Sequence, residues 1–426
     1  MSASRIHVGG AAALLVGLAA LLASVLTACN TAGGPTTVTV NKVGTINWAA
    51  YQDGTGAWQE LTGSSFTVSG GAGKYGVAWE CPSPETGGPG VGVIQATTAE
   101  STAVLAACPP LLALPTNTIS GTVSGIPSGG TAVISLGSNL TTVTVASGVT
   151  STTFSLGVST GVHTLVAYGL DSSGAPSQLV VTRNVSITGN NSAFNVNLAL
   201  GQAFTLNTVH LTNTPSNLST SNTGVSAYLV STGSGDNSAL ARSTGSADLS
   251  YPVLPGSLAQ SGDMYELVGT SNPADSTGTT TQQVALLTQS PSSGQSIALP
   301  AAISSDAAVT GSGSATTVTW GTATFSGSGG LTVHSATDDF QSNGYASWIV
   351  AVTAGWKGSS TTYTFPDFSS TTGWNSAWNL PAGTGSPLNV HALHANLSLE
   401  QLEVYYLDGG STADPNGTLV KTTQHQ

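Results

Sequence analysis

Apolar positions come in short runs of about four to nine residues along nearly the whole chain, separated by Gly, Ser, Asn, Asp and Pro. Runs of that length rich in Val, Thr, Ile, Tyr and Trp are strand chemistry, and the intervals are turn chemistry. Period-two alternation is clearest at 37–43, 119–123, 131–136 and 194–200, which predicts strands with one buried face. Two stretches could instead be helical, 94–107 and 397–407. In the second, Leu397 and Leu399 are out of phase with Leu402, Val404 and Tyr406, so a bulge or turn at Glu400-Gln401 accounts for it equally well. The pattern as a whole predicts an all-β protein.

A weak repeat groups these strands. GKYGVAWE, GVHTLVAYGLD, GDMYELVGT and GYASWIVAV each place an aromatic-bearing strand after a Gly-containing turn. Their spacing of about 85–100 residues is too long for a solenoid unit and suits one sandwich of about seven strands. Strands with one apolar face need a second sheet to cover it. The expectation is therefore a series of β-sandwich modules, Ig-like or transthyretin-like, at 36–115, 116–200, 201–300 and 301–426, after a leader at 1–28 and a tether at 29–35.

The leader is the strongest local signal. MSASRIH carries Arg5 and no acid, and an almost purely apolar stretch, 8–26, follows it, as in signal peptides. It ends in Leu26-Thr27-Ala28-Cys29, which resembles the lipobox of bacterial lipoproteins. That resemblance implies cleavage before Cys29 and its lipidation, with stable attachment through two or three acyl chains. An uncleaved membrane helix or an ordinary signal peptide is the alternative. In lipoproteins of diderm bacteria an Asp after the Cys signals inner-membrane retention. Asn30 stands there instead, which implies the outer membrane or the cell surface.

Only Cys81 and Cys108 remain of the 3 cysteines. In an exported chain they are expected to pair as a disulfide, buried free thiols being the alternative. Each ends an apolar run and precedes proline, as at strand ends.

The second module carries a further resemblance. ISGTVSG, TAVISL, TTFSLGVSTGVHTLVAYG and VSITGNNSAFNVNLAL resemble the carboxypeptidase-regulatory, or transthyretin-like, β-sandwich of bacterial surface proteins. Modules of that family are accessory and bring no catalytic residues.

Composition narrows the function classes. Charged residues are 6% of the chain, with Lys+Arg 7 and Asp+Glu 19, where soluble domains carry about 25%. Seven cations spread over 426 residues cannot neutralise a row of phosphates, so nucleic acid is excluded as a partner. Gly157-Val158-Ser159-Thr160-Gly161 matches a nucleophile-elbow pattern but joins two strands, where that elbow needs a strand-to-helix turn. His391 and His394 are offset by three and fall on opposite faces of a strand, which argues against a shared metal. Most acids sit in turns such as Asp53-Gly54 and Asp171-Ser172, where they cap their own backbone. No catalytic residue, cofactor or catalytic metal is expected. Asp338, Asp339 and Asn343, or Asp408, Asp414 and Asn416, are the candidate holders of a structural calcium ion, though neither spacing matches a known loop.

The tryptophans carry the one positive hint. Trp320, Trp348, Trp356, Trp374 and Trp378, five of the 8, follow residue 300. Trp374 and Trp378 lie in SSTTGWNSAWNLPAGTG, a loop-like segment, and are the candidate contacts for a sugar chain or a partner protein. The competing role is to plug the end of a sandwich. The function expected from sequence is a non-catalytic binding or structural component of the envelope, membrane-attached through Cys29, with an envelope protein or polysaccharide as partner. A carbohydrate-active enzyme or carbohydrate-binding protein with its site in the last module is the alternative.

Overall fold

The computed structural model describes residues 34–425 apart from residues 71, 83–89, 109–115, 192, 215–222, 232–236, 272–279, 305–306, 312, 326–329, 339–346, 381–387 and 403–417. Cys29 and the leader lie outside the described residues. The fold is all-β, and its largest unit is a 12-stranded sheet. Its strands run in the spatial order Asn237–Thr244, Thr223–Val230, Met264–Ser271, Thr280–Thr288, Thr418–His425, Leu388–Ala395, Leu331–Asp338, Ser347–Thr353, Gly90–Thr97, Lys74–Cys81, Trp48–Asp53 and Gln59–Glu60.

This sheet crosses the module boundaries expected from sequence. Ser347–Thr353 pairs in parallel with Gly90–Thr97, joining the last module to the first. Thr418–His425 lies antiparallel between Thr280–Thr288 and Leu388–Ala395, joining the last to the third. Edge strands that would otherwise expose unpaired N–H and C=O groups satisfy one another here.

Three smaller sheets cover the large one. The sheet of Ser65–Val68, Thr36–Val43 and Ala103–Ala107 covers one face, packing Val38, Val40, Phe66 and Val104 onto Tyr75, Val77, Val333 and Leu393. Ala308–Thr310, Thr317–Thr319 and Thr362–Thr364 form a second cover, with Val318, Trp320 and Tyr363 packed among Val91, Val93, Val350 and Val390. Alternation along each central strand sends odd and even positions to these opposite layers. A third cover, of Asp248–Val253, Thr205–Thr212 and Gln295–Ala298, closes a core of its own with Val225, Leu229, Leu240 and Leu267.

Residues 116–200 make a sandwich within themselves. Four strands (Asn139–Thr144, Thr131–Leu136, Gly161–Leu170, Pro176–Ile187) face three (Ser151–Ser159, Thr116–Ser124, Val196–Asn197) over Ile119, Ile134, Phe154, Leu165 and Leu198. This unit docks on the third module through Tyr168, whose hydroxyl donates to the Leu240 carbonyl at 2.9 Å. The Arg183 guanidinium also grips both oxygens of Asp263, at 3.0 and 2.6 Å.

The structure departs from the expected alternation at 194–200 and decides between the alternatives left open at 94–107 and at the start of 397–407. The alternation of 194–200 yields only a two-residue strand, Val196–Asn197, followed by a 3-10 turn, Leu198–Leu200. The Asn197 side chain accepts from the Ala199 N–H at 3.0 Å and so caps the turn instead of continuing the ladder. Residues 94–107 are not helical: Gly90–Thr97 and Ala103–Ala107 are strands. The Glu100 carboxylate between them accepts from the Thr97 N–H at 3.0 Å and the Thr97 hydroxyl at 2.8 Å. Residues 399–402 form a single helical turn. Ser398 and Gln401 exchange side-chain and backbone bonds at its start, a capping box, while Leu397, Leu399 and Leu402 are buried.

Candidate functional site

Cys81 and Cys108 form a disulfide, with Cα atoms 5.4 Å apart. It ties the end of strand Lys74–Cys81 in the large sheet to the covering strand Ala103–Ala107, and the Cys108 N–H donates to Val43 O at 2.9 Å. The bond is structural and joins the two layers of the first module.

Trp374 and Trp378 sit in a segment that roofs the large sheet. Phe365, Phe368 and Leu380 are buried and anchor the segment, and between them the chain turns at Phe368–Thr371 and Asn375–Trp378 through backbone bonds of 2.8 and 2.9 Å. Gly373 adopts a φ of 80°, which favours glycine, and a Cβ there would press on the Trp48 ring, 3.2 Å from Cδ1. Asn375 caps the 3-10 turn Ser376–Trp378 by accepting from the Ala377 N–H at 3.0 Å.

Indole N–H groups hold the roof in place. Trp48 Nε1 donates to Thr372 O at 3.0 Å, Trp348 Nε1 to Trp378 O at 2.9 Å, and Trp374 Nε1 to Asn379 Oδ1 at 2.8 Å. Edge-on ring contacts reinforce these bonds: Trp48 to Trp374 at 4.8 Å, Trp374 to Trp378 at 5.2 Å, and Trp58 to Phe368 at 4.9 Å. Trp48, Trp348 and Phe368 are buried, whereas Trp58, Trp374 and Trp378 are half-buried. The last three therefore present aromatic surface outward from a framework whose rotamers are fixed by packing and hydrogen bonds. Trp374 and Trp378 thus plug this end of the sheet while part of each ring stays at the surface.

Beneath this roof lies a residue that sequence reasoning missed. Glu80 is directly opposite Trp48 across the strand pair, so both side chains share a face, and it is 1% exposed. One carboxyl oxygen has no partner, and burial raises its pKa above the usual carboxylate range against a weaker opposing bond from the Asn47 side chain. The available signal was a lone acid inside the apolar run KYGVAWEC, in phase with Gly76 and Ala78.

The remaining candidates separate. His391 is buried and shares hydrogen bonds of 2.8 Å with Thr337 and Thr423. His394 bonds Thr332 at 2.9 Å and stacks on Phe325 at 5.5 Å, on the opposite face of the strand. Ser159 ends the strand Ser151–Ser159, which crosses directly into Gly161–Leu170 of the facing sheet, and accepts at its carbonyl a 2.8 Å contact from His163. Among the described residues, no group of three His, Cys, Asp or Glu side chains is placed to hold a metal ion. Asp339, Asn343, Asp408, Asp414 and Asn416 lie outside the described residues, and with them both calcium candidates.

No protein-family model matches the chain, and no curated protein matches it. Among solved structures it is similar to the tip fimbrial protein Mfa3 from Porphyromonas gingivalis with a C-terminal truncation, at 7% identity over 42% of this chain and 83% of that one, TM-score 0.17. It is also similar to a DUF3823 family protein from Bacteroides ovatus, at 14% identity over 37% of this chain and 92% of that one, TM-score 0.13. A candidate adhesin from Bacteroides ovatus matches at 12% identity over 43% of this chain and 89% of that one, TM-score 0.15. Likenesses this slight carry neither a topology nor a function to this chain.

Proposed function

We propose that this chain is a bacterial surface lipoprotein, anchored through Cys29, which acts without catalysis by binding a polysaccharide of the envelope at the Trp374–Trp378 roof. The observation that supports it is the rigid, half-exposed tryptophan cluster standing on a protein with only 6% charged residues. Indole faces stack on the C–H faces of sugar rings, and rigid aromatics lose little conformational entropy on contact. On a hydroxyl-rich, weakly charged surface they are the groups able to act as central anchors, typically at 2 kcal/mol or more. The 116–200 sandwich, with its resemblance to accessory carboxypeptidase-regulatory modules, serves in this reading as a spacer.

The test compares the mature protein with Trp374→Ala/Trp378→Ala and with Trp378→Ala alone, in affinity electrophoresis against isolated envelope polysaccharide. Thermal unfolding is followed in parallel. The expected result is at least a tenfold loss of binding in a variant that still unfolds cooperatively. A folded variant that binds as the parent does overturns the assignment.

A further inference from the structure

The seam between the large sheet and its tryptophan-bearing cover contains an unusual concentration of unpaired polar atoms. Gln95 Oε1, Trp320 Nε1, His334 Nδ1, Trp356 Nε1 and Tyr363 Oη are all shielded from solvent and have no hydrogen-bond partner. Four of these residues are buried almost completely, at 1% exposure for Trp320, 3% for Gln95, 6% for Tyr363 and 8% for His334.

They also belong together. Trp320 lies 5.7 Å from His334 and 5.6 Å from Tyr363, and Tyr363 lies 6.0 Å from Trp356, ring centre to ring centre. His334 and Gln95 both stand opposite Val352, one from each neighbouring strand, and so share its face of the sheet, about 10 Å apart at two strand spacings. The helical turn Ala354–Lys357 that carries Trp356 rests on those same strands. The orientation of the Gln95 amide follows from its neighbour. Gln52 Nε2 donates to Gly56 O at 2.7 Å, which turns Gln52 Oε1 toward Gln95 Nε2 at 2.8 Å and leaves Gln95 Oε1 without a donor.

Five such groups left dry would cost as much as the net stability of an ordinary domain. Their chemistry selects the occupant. Two indole N–H groups can only donate, the Gln95 oxygen can only accept, and a phenol and a neutral imidazole can do either. A cation would meet the donors and an anion would meet the amide oxygen, whereas a molecule that both donates and accepts satisfies the set. We propose that ordered internal water, about two molecules at two to four bonds each, is built into this seam as a permanent part of the structure. It links Gln95 of the first module to Trp320 and Tyr363 of the last.

A crystal structure of the full mature chain at about 1.5 Å tests this. Water is expected within hydrogen-bond distance of at least two of the five atoms. A seam without water, or one in which the five atoms reach protein partners, overturns the proposal. Tyr363→Phe gives an independent reading. It removes a bond to a retained water and should lower Tm by about 1–3 °C. An unchanged or raised Tm means that the hydroxyl had no partner, and overturns it as well.

Discussion

His334 should make this protein acid-sensitive in a window set by its own burial. The imidazole is 8% exposed on the inner face of the large sheet, and its pKa falls from 6.5 to about 4, chiefly through burial and secondarily through the charge of Lys357. A folded-state pKa below the unfolded one means that the unfolded chain binds the extra proton between pH 6.5 and 4. Stability from this group is therefore complete above about pH 6.5 and is lost as pH falls towards 4. At 1.36 kcal/mol per pKa unit, the difference comes to about 3 kcal/mol. Glu80 runs the other way. Its raised pKa favours the neutral acid in the fold, so its contribution is complete below about pH 4.5 and is lost as pH rises through the raised value. The two slopes overlap, and only a comparison isolates His334. Urea unfolding of the mature protein and of His334→Gln, at intervals from pH 7 to pH 4, is the assay. The difference in unfolding free energy between the two should shrink by about 3 kcal/mol across that range. Parallel curves would refute the burial argument.

Three further outcomes are expected. Cys29→Ala should move the protein from the detergent phase to the aqueous phase in Triton X-114 partitioning, or leave the precursor uncleaved; partitioning unchanged by the substitution would sink the anchoring claim. Reduction of the Cys81–Cys108 bond, which closes a loop of sequence separation 27, should destabilise the first module by roughly 3–4 kcal/mol in the chain-entropy model, read as a lower denaturation midpoint under reducing conditions. Gly355→Ala should cost about 1 kcal/mol, because the added Cβ would stand 2.7 Å from the Glu100 carboxylate and push it off its bonds to the Thr97 N–H, the Thr97 hydroxyl and the Gly355 N–H; equal melting temperatures would show that the carboxylate moves aside freely.

Much of the secondary structure was legible in the sequence because strand formation here is local. Alternation at 131–136 and turn chemistry around it predicted the strand Thr131–Leu136 to the residue, and the all-β class followed from the same pattern repeated. Alternation failed at 194–200 for an equally local reason, since Asn197 offers its side chain to the backbone two residues on. The cysteine pairing followed from the small cysteine count together with the expectation of export, whereas the layers that the bond joins were not legible. What the tertiary structure decided depends on contacts between distant segments. Strands of the first, third and last modules merge into one sheet because Ser347–Thr353 and Thr418–His425 find partners hundreds of residues away or across a module boundary, and no single strand records which edge it will meet. Trp374 and Trp378 read as part of a loop-like segment, either open to a ligand or plugging a sandwich end. Only the fold brings Trp48 and Trp348 beneath them and places Glu80 on the same face as Trp48. Periodicity assigns a side chain to a face of its own strand, but which side chains crowd together on that face is set by register and layer packing, and these exist only once the chain has closed on itself.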